Sequence, residues 1–252
     1  MSMMDWNKAL VEIPFYKKRP YMKPWVGKNY DSPKHHRLLL VGESFYLPDS
    51  FDTRANINAW YDGTFAIDGC EDWCTTGLTI TNDVRANTEW RKAVQEALGD
   101  GTFDKDVVEE FAFYNYWLRP AQYDTKKESP QTFEPQEKDR GIAIATFLDV
   151  VCALRPEYIA FCSADAVSKA EGMDYKRFAG KTEKELWDFT EKHGVLAYRK
   201  FYHPTWWYKP VDNVPYFRGM AKNDLGLTDG CGNLRSARDF FIAYLKQKWL
   251  AP

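Results

Sequence analysis

The feature that most constrains the fold is the unbroken apolar run Leu-Leu-Leu-Val at positions 38–41, which leads directly into Gly42. A strand with one face in water alternates apolar and polar residues, whereas a strand of a parallel sheet is covered on both faces and is apolar throughout. The run over residues 37–42 therefore predicts a central strand of a parallel sheet, and with it an α/β fold.

Strands and helices alternate along the rest of the chain. Apolar and aromatic runs predict further strands at 111–117, 158–162 and 195–202. Apolar residues at helical spacing, with suitable capping residues, predict helices at 88–98, 135–154, 182–194 and 234–245. This alternation is typical of βαβ units with right-handed crossovers, which put helices on both faces of a parallel sheet.

This order predicts one domain over residues 1–252, folded as a three-layer α/β/α sandwich around a central, mainly parallel four-stranded sheet. A chain of 252 residues is long enough to bury a substantial core in such a domain. Residues 1–36 are rich in Lys, Tyr and Pro and lack clear periodicity, so we expect them to form an irregular arm on that domain.

The charge and the cysteine content argue against several classes of protein. The formal net charge is −2, whereas proteins that grip long stretches of nucleic acid have a basic excess, so any nucleic-acid contact should be local. No apolar run reaches the ~20 residues of a membrane span, and the first residues lack the pattern of a signal peptide. We expect a cytoplasmic monomer without a membrane partner. Its five cysteines fit reduced thiols, and we expect no metal or other cofactor.

Polar residues follow each of the four expected strands. The carboxyl ends of parallel strands meet at one edge of the sheet, and open α/β sheets bind their ligands there. We therefore expect one site, made from a polar loop after the first strand, at residues 42–46, and from residues that follow the other three strands. Its candidates are, in chain order, Gly42, Glu43, Ser44, Tyr46, Asn115, Ser163, His203 and Thr205.

The order of these residues resembles that of the uracil-DNA glycosylase superfamily, in particular its uncharacterised branches that open with Gly-Glu-Ser. That family has a glycine-rich loop after its first strand, an asparagine after a later strand, and a final His-Pro-Ser motif. Here the corresponding places hold Gly-Glu-Ser-Phe-Tyr at 42–46, Asn115, and His-Pro-Thr at 203–205. Residues 155–163 resemble the strand before the small-residue turn of the family.

The resemblance implies a DNA-repair hydrolase that cleaves the N-glycosidic bond of a damaged or deaminated base. In this chain His203 would donate a hydrogen bond to the base carbonyl, and Asn115 would read the hydrogen-bonding edge of the base. The backbone near Gly42 and Glu43 would contact the other carbonyl, and Tyr46 would pack beside the ring. Such enzymes act on a base in a single strand or on one turned out of the duplex.

The remaining candidates would hold the substrate. Ser163 and Thr205 complete the expected substrate-binding set. Trp206 and Trp207, directly after the histidine motif, could stack on a base or wedge into a strand. The implied partner is therefore DNA, or a free nucleobase or nucleotide.

The residue at position 44 leaves two other functions open. The best-known family members have Asp at this water-positioning place and other branches have Asn, whereas this chain has Ser44 beside Glu43. One alternative is a domain that binds a nucleobase or nucleic acid without cleaving it. The other is an esterase of the Gly-Asp-Ser type, with Ser44 as nucleophile and His203 as base, although Lys200 stands where such enzymes carry the orienting Asp.

Overall fold

A computed structural model of the protein describes residues 3–65, 71–81, 89–99, 105–131, 133–162, 211–212, 241–243 and 245–250. Its helices are α1 (Met3–Val11), α2 (Pro14–Lys18), α3 (Ile57–Asp62), α4 (Glu71–Cys74), α5 (Thr76–Thr81), α6 (Glu89–Leu98) and α7 (Glu137–Leu154). Short 3-10 turns lie at Pro20–Met22 and Lys105–Glu110, and a π-helical turn lies at Leu245–Trp249. The strands are β1 (Trp25–Val26), β2 (Leu38–Pro48), β3 (Ala112–Asp124), β4 (Ser129–Pro130), β5 (Tyr158–Phe161) and β6 (Val211–Asp212).

The described strands form one sheet in the order β1-β3-β2-β5-β6, with β4 paired to β3 outside this path. The strands β3, β2, β5 and β6 run parallel to their neighbours, while β1 and β4 pair with β3 in the antiparallel sense. The chain is therefore an α/β protein with a mostly parallel sheet. The prediction that the apolar run at 38–41 forms a central parallel strand is confirmed, because β2 lies between β3 and β5.

Strand β2 is buried on both sides, as its composition predicts. Leu39 and Val41 belong to one apolar core, which we call the face-one core, and Leu38 and Leu40 belong to another, the face-two core. Helix α7 supplies residues to the face-one core and α6 to the face-two core. Since successive side chains of a strand point to opposite faces, the apolar run is shared between two layers of packing.

The expected loop at residues 42–46 is instead part of a strand. β2 continues to Pro48, and Phe45 and Leu47 are buried in the face-one core. The side chains of β2 therefore continue to point to alternate faces of the sheet beyond the polar residues, and pairing with β3 continues through positions 46–48. Sequence reasoning ended the strand at the glycine because Gly-Glu-Ser is typical of a turn, and it gave too little weight to the apolar residues that follow.

Residues 3–26, expected to belong to an irregular arm, form α1, α2, a 3-10 turn and β1. Trp6, Leu10, Tyr16 and Met22 are almost fully buried in the face-one core. Their helices are short, and two of these elements begin at prolines, which suit the first turn of a helix. The elements are too short for a periodic signal to stand out, so their aromatic content was the better guide to burial.

The predictions for the middle of the chain hold closely. The helices expected at 88–98 and 135–154 match α6 and α7, and the strands at 111–117 and 158–162 match β3 and β5. Strand β3 is longer than the predicted strand, since it continues to Asp124 and the chain then turns back to form β4. The strand expected at 195–202 and the helix at 182–194 lie outside the described residues, as does most of the last helix.

Candidate functional site

The parallel register of β2 and β3 brings two of the expected site positions together. Gly42 lies directly beside Asn115, and Ser44 lies beside Trp117. The strands are neighbours in space although 73 residues separate Gly42 from Asn115 in the chain. Gly42 and Asn115 are therefore adjacent in the sheet, and they lie within the strands and not in loops after them.

Gly42 allows the carboxamide of Asn115 to lie against the backbone of β2. A Cβ atom at position 42 would collide with Oδ1 of Asn115, and it would lie 2.8 Å from Cζ of Phe113. A contact that short requires a neighbour to move, so a residue with a side chain would displace the amide, the ring or both. The glycine is needed here for close approach and not for a turn.

Asn115 and Ser44 project from the same face of the sheet as Gly42. Positions 40, 42 and 44 alternate with the face-one residues of β2, and Asn115 follows Phe113 by two residues on β3. Asn115 is 6% exposed and Ser44 is 7% exposed. These three residues form what we call the glycine–amide site.

The hydroxyl of Ser44 is buried without a hydrogen-bond partner in the described part of the protein. Burying a hydroxyl without a partner typically costs about 1–3 kcal/mol, and most buried polar atoms in native proteins are paired. The Ser44 hydroxyl is therefore a polar group of this site whose hydrogen-bonding capacity is not used by the described protein.

The ladder between β2 and β3 is irregular just beyond this point. Ser44 pairs with Trp117 and Tyr46 pairs with Ala121, so two steps along β2 match four along β3. Tyr116, Trp117 and Leu118 all belong to the face-one core, which regular alternation would not allow. Bulges of this kind re-aim side chains and are common next to functional sites.

Two of the expected site residues face away from the glycine–amide site. Glu43 is half-buried and, as the residue between Gly42 and Ser44, projects from face one of the sheet. Tyr46 is also half-buried and packs against the face-one core. The irregular ladder accounts for the position of Tyr46, which simple alternation from Ser44 would put on face two.

The third parallel strand also ends beside the glycine–amide site. Val41 is in register with Phe161, and the backbone N–H of Cys162 donates to the carbonyl of Val41 at 2.7 Å. The pairing of β2 with β5 thus ends one residue before Gly42. Ser163 follows immediately in the chain but lies outside the described residues, as do His203, Thr205, Trp206 and Trp207.

Sequence reasoning missed Phe113 as a neighbour of this site. Its ring lies against Gly42 and is buried in the face-two core. The signal was available, because Phe113 precedes Asn115 by two residues and must share its face once the segment is read as a strand. An aromatic wall beside an amide is a suitable surface for a flat polar ring.

The described residues offer no obvious metal centre. Within them, no group of three or more His, Cys, Asp or Glu side chains lies close enough together to hold an ion. In the same part of the chain, no helix combines the length and apolar character that crossing a bilayer requires. The polar groups at the glycine–amide site are neutral, so they suit hydrogen bonding to an uncharged ligand.

Two comparisons with known proteins assign this chain to no family. The chain matches no protein-family model and no curated protein. The similarity to the uracil-DNA glycosylase superfamily therefore rests on the order of the motifs along the sequence.

Proposed function

We propose that this protein is a uracil-DNA glycosylase-like hydrolase that binds a damaged or deaminated base of DNA and cleaves its N-glycosidic bond. The observation that carries the proposal is the contact of the Asn115 carboxamide with Gly42 in paired parallel strands. The base would lie against β2 and β3 at the glycine–amide site, just beyond the carboxyl end of β5.

The fold supports the proposal at a coarser level. A mostly parallel sheet has β2 at its centre, and separate cores lie on its two faces. Helix α7 belongs to one core and α6 to the other, which is the layering that an α/β/α sandwich requires. We propose that the whole domain has the three-layer architecture of the glycosylase superfamily.

The chemistry of an amide suits recognition of a base. A carboxamide both donates and accepts hydrogen bonds, as does the edge of a pyrimidine or an oxidised purine base. Asn115 is buried, so a hydrogen bond to a ligand there would be stronger than one made in water. The hydroxyl of Ser44 would supply a further donor or acceptor, either to the base or to a water molecule.

The cleavage step would need a second group to stabilise the departing base. The bond breaks to leave a cationic sugar and an anionic base, and a preorganised hydrogen-bond donor lowers the energy of that anion. We assign this role to His203, with water as the nucleophile. The base must be unstacked first, and the near-neutral charge of the chain fits contact with a short stretch of DNA.

One observation favours the second candidate, a module that binds a base without cleaving it. The water-positioning place holds a hydroxyl, Ser44, and the adjacent carboxylate of Glu43 projects to the other side of the sheet. A hydroxyl holds water less strongly than a carboxylate and does not offset the charge of a cationic sugar. The esterase alternative gains no such support, since the Ser44 hydroxyl is buried within a strand.

An assay on single-stranded and duplex oligonucleotides that carry uracil, hypoxanthine or xanthine tests the proposal. We expect the wild-type protein to release one of these bases and the His203→Ala variant to release none. His36→Ala is the matched control, because His36 pairs with Glu157 at the amino end of the sheet, and it should retain activity. Saturable binding without release of a base would establish the binding module instead. The proposal fails if no oligonucleotide is bound or cleaved.

A further inference from the structure

A polar cluster lies in the face-one core, away from the glycine–amide site. Its members are Asp149 of α7, Tyr16 of α2 and Tyr114 of β3. Asp149 is 6% exposed, and both tyrosines are almost fully buried. Both carboxyl oxygens of Asp149 and both phenol oxygens lack a hydrogen-bond partner in the described protein.

The same helix carries a second buried aspartate that has the opposite environment. Asp139 accepts hydrogen bonds from Nε and Nη2 of Arg119 at 2.9 and 2.8 Å, from the hydroxyl of Tyr61 at 2.7 Å and from the backbone of Gln136 at 2.8 Å. Both carboxyl oxygens of Asp139 are therefore hydrogen-bonded, and a guanidinium lies against them. Asp149 has none of these compensations, and an isolated buried carboxylate is costly unless it takes up a proton.

The elements around Asp149 supply no described cation to neutralise it. Asp149 acts electrostatically on Tyr16 of α2 and on Cys152, which lies one turn further along α7, and Tyr114 of β3 is buried in the same core. Arg155, the residue that ends the helix, is exposed, as is Lys8 on α1, which packs along α7. None of the described lysine, arginine or histidine side chains forms an ion pair with Asp149.

We propose that Asp149 is a proton-operated latch: it holds a proton while α1 is packed on α7 and Tyr16 of α2 is buried in the same core, and its ionisation loosens that packing. The protonated carboxyl is a neutral group that the core tolerates. The ionised form puts an unpaired charge into the core that α7 shares with the first two helices.

The acid–base properties of the neighbours agree with this geometry. Burial raises the pKa of Asp149 from 3.8 to about 7. Burial and the nearby Asp149 carboxylate raise the pKa of Tyr16 well above 10.0, and the same two causes raise the pKa of Cys152 to about 12. Tyr16 and Cys152 therefore stay protonated through the neutral range, and Asp149 is the member of this cluster that titrates there.

The pH dependence of folding tests the latch. Between pH 4 and 7, Asp149 carries a proton in the folded protein but not in the unfolded chain. Its contribution to the free energy of unfolding is therefore fully present below pH 4 and is lost as pH rises through 7. The folding equilibrium constant should fall about a thousandfold over this interval. Asp149→Asn should abolish the fall and be more stable than the wild type at pH 8. Equal pH profiles for the two proteins would overturn the proposal.

Asp139→Asn provides the matched control on the same helix. It should lower stability at every pH, because it weakens the bonds to Arg119, and it should keep the wild-type fall between pH 4 and 8. A direct readout is the carboxyl carbon-13 shift of Asp149 in the wild-type protein, which decides the matter even if a variant fails to fold. A midpoint near pH 7 supports the latch, and a midpoint near 4 contradicts it.

Hydrogen exchange locates the loosening within the fold. After correction for intrinsic rates, amides of α1 and α2 should exchange faster at pH 8 than at pH 6 in the wild type but not in Asp149→Asn. Amides of β2 provide the internal reference, because this strand lies between β3 and β5. Uniform change across the protein, with no excess in the first two helices, would show that ionisation does not act on their packing.

Discussion

At the scale of single residues, Gly42 is important because a side chain there would occupy the space taken by Asn115 and Phe113. Neither of these neighbours is free to retreat into solvent, since both are buried. The absence of a side chain at position 42 therefore sets where the Asn115 carboxamide can lie, and that amide is the group proposed to bind the base. A substitution at Gly42 should affect both the stability of the sheet and the aim of the amide.

Gly42→Ala should lower the free energy of unfolding by about 1–3 kcal/mol, as overpacking of a core usually does, and should weaken base binding in addition. Gly77→Ala in α5 is the control. A Cβ there would lie 3.8 Å from the ring of Trp25, an ordinary contact, and alanine is about 1 kcal/mol better than glycine in a helix. Urea unfolding and base titration of both variants check the prediction. Equal free energies of unfolding for the two variants would contradict the close contact of Gly42 with Asn115 and Phe113.

Ser44→Ala separates stability from function at the glycine–amide site. Removing a buried hydroxyl that has no partner should leave the protein as stable as before, or more stable by about 1 kcal/mol, while base binding weakens. Thr53→Val is the contrast, because Thr53 donates to the carbonyl of Pro120 at 3.2 Å, and its loss should destabilise the protein by about 1 kcal/mol. If Ser44→Ala destabilises as much as Thr53→Val, the serine hydroxyl has a structural partner after all.

At the scale of elements, the anchor between α7 and β3 is a buried ion pair. Arg119 lies in the irregular part of β3, and its guanidinium stacks on Phe133 while it binds Asp139. The pair fixes the start of α7 against the strand that carries Asn115. The helix is thereby tied to the same strand at two levels, since Tyr114 also stacks on Phe147.

Arg119→Met should lower the free energy of unfolding by about 3–5 kcal/mol, because Asp139 would remain buried without its cation. Arg54→Met is the control, since the pair of Arg54 with Glu134 is more than half exposed and such pairs contribute about 1 kcal/mol or less. Denaturant unfolding at neutral pH measures both. Comparable losses in the two variants would show that the buried pair has no special role.

The helices and strands differ in how well their positions can be predicted from the sequence. Apolar residues at helical spacing were enough to predict α7, and unbroken apolar character was enough for β2 and β5. The length of β2 was not predictable from the Gly-Glu-Ser signal, because burial of Phe45 and Leu47 depends on a core built by distant residues. The same holds for α1 and α2, whose helical signal is short.

At the scale of the whole molecule, the sheet separates two polar clusters, the glycine–amide site on face two and the Asp149 cluster on face one. Asn115 and Ser44 lie on face two, within β3 and β2, while Asp149 and its phenols lie within the core on face one. Tyr114 and Asn115 are adjacent on β3, so the two clusters meet at one strand. The order of motifs predicted which residues would share a strand edge, but the register and the bulge that set their faces arise from pairing with distant segments.

The central claim is that Asn115 reads the edge of a base beside Gly42, and side-chain amide NMR tests it most directly. The nitrogen-15 signal of the Asn115 carboxamide should shift saturably when uracil, hypoxanthine or xanthine is added, and should be unmoved by ribose 5-phosphate. The exposed carboxamide of Asn58, which binds Lys138, should not respond to any of them. An Asn115 signal that stays fixed at saturating concentrations of every base would contradict the account.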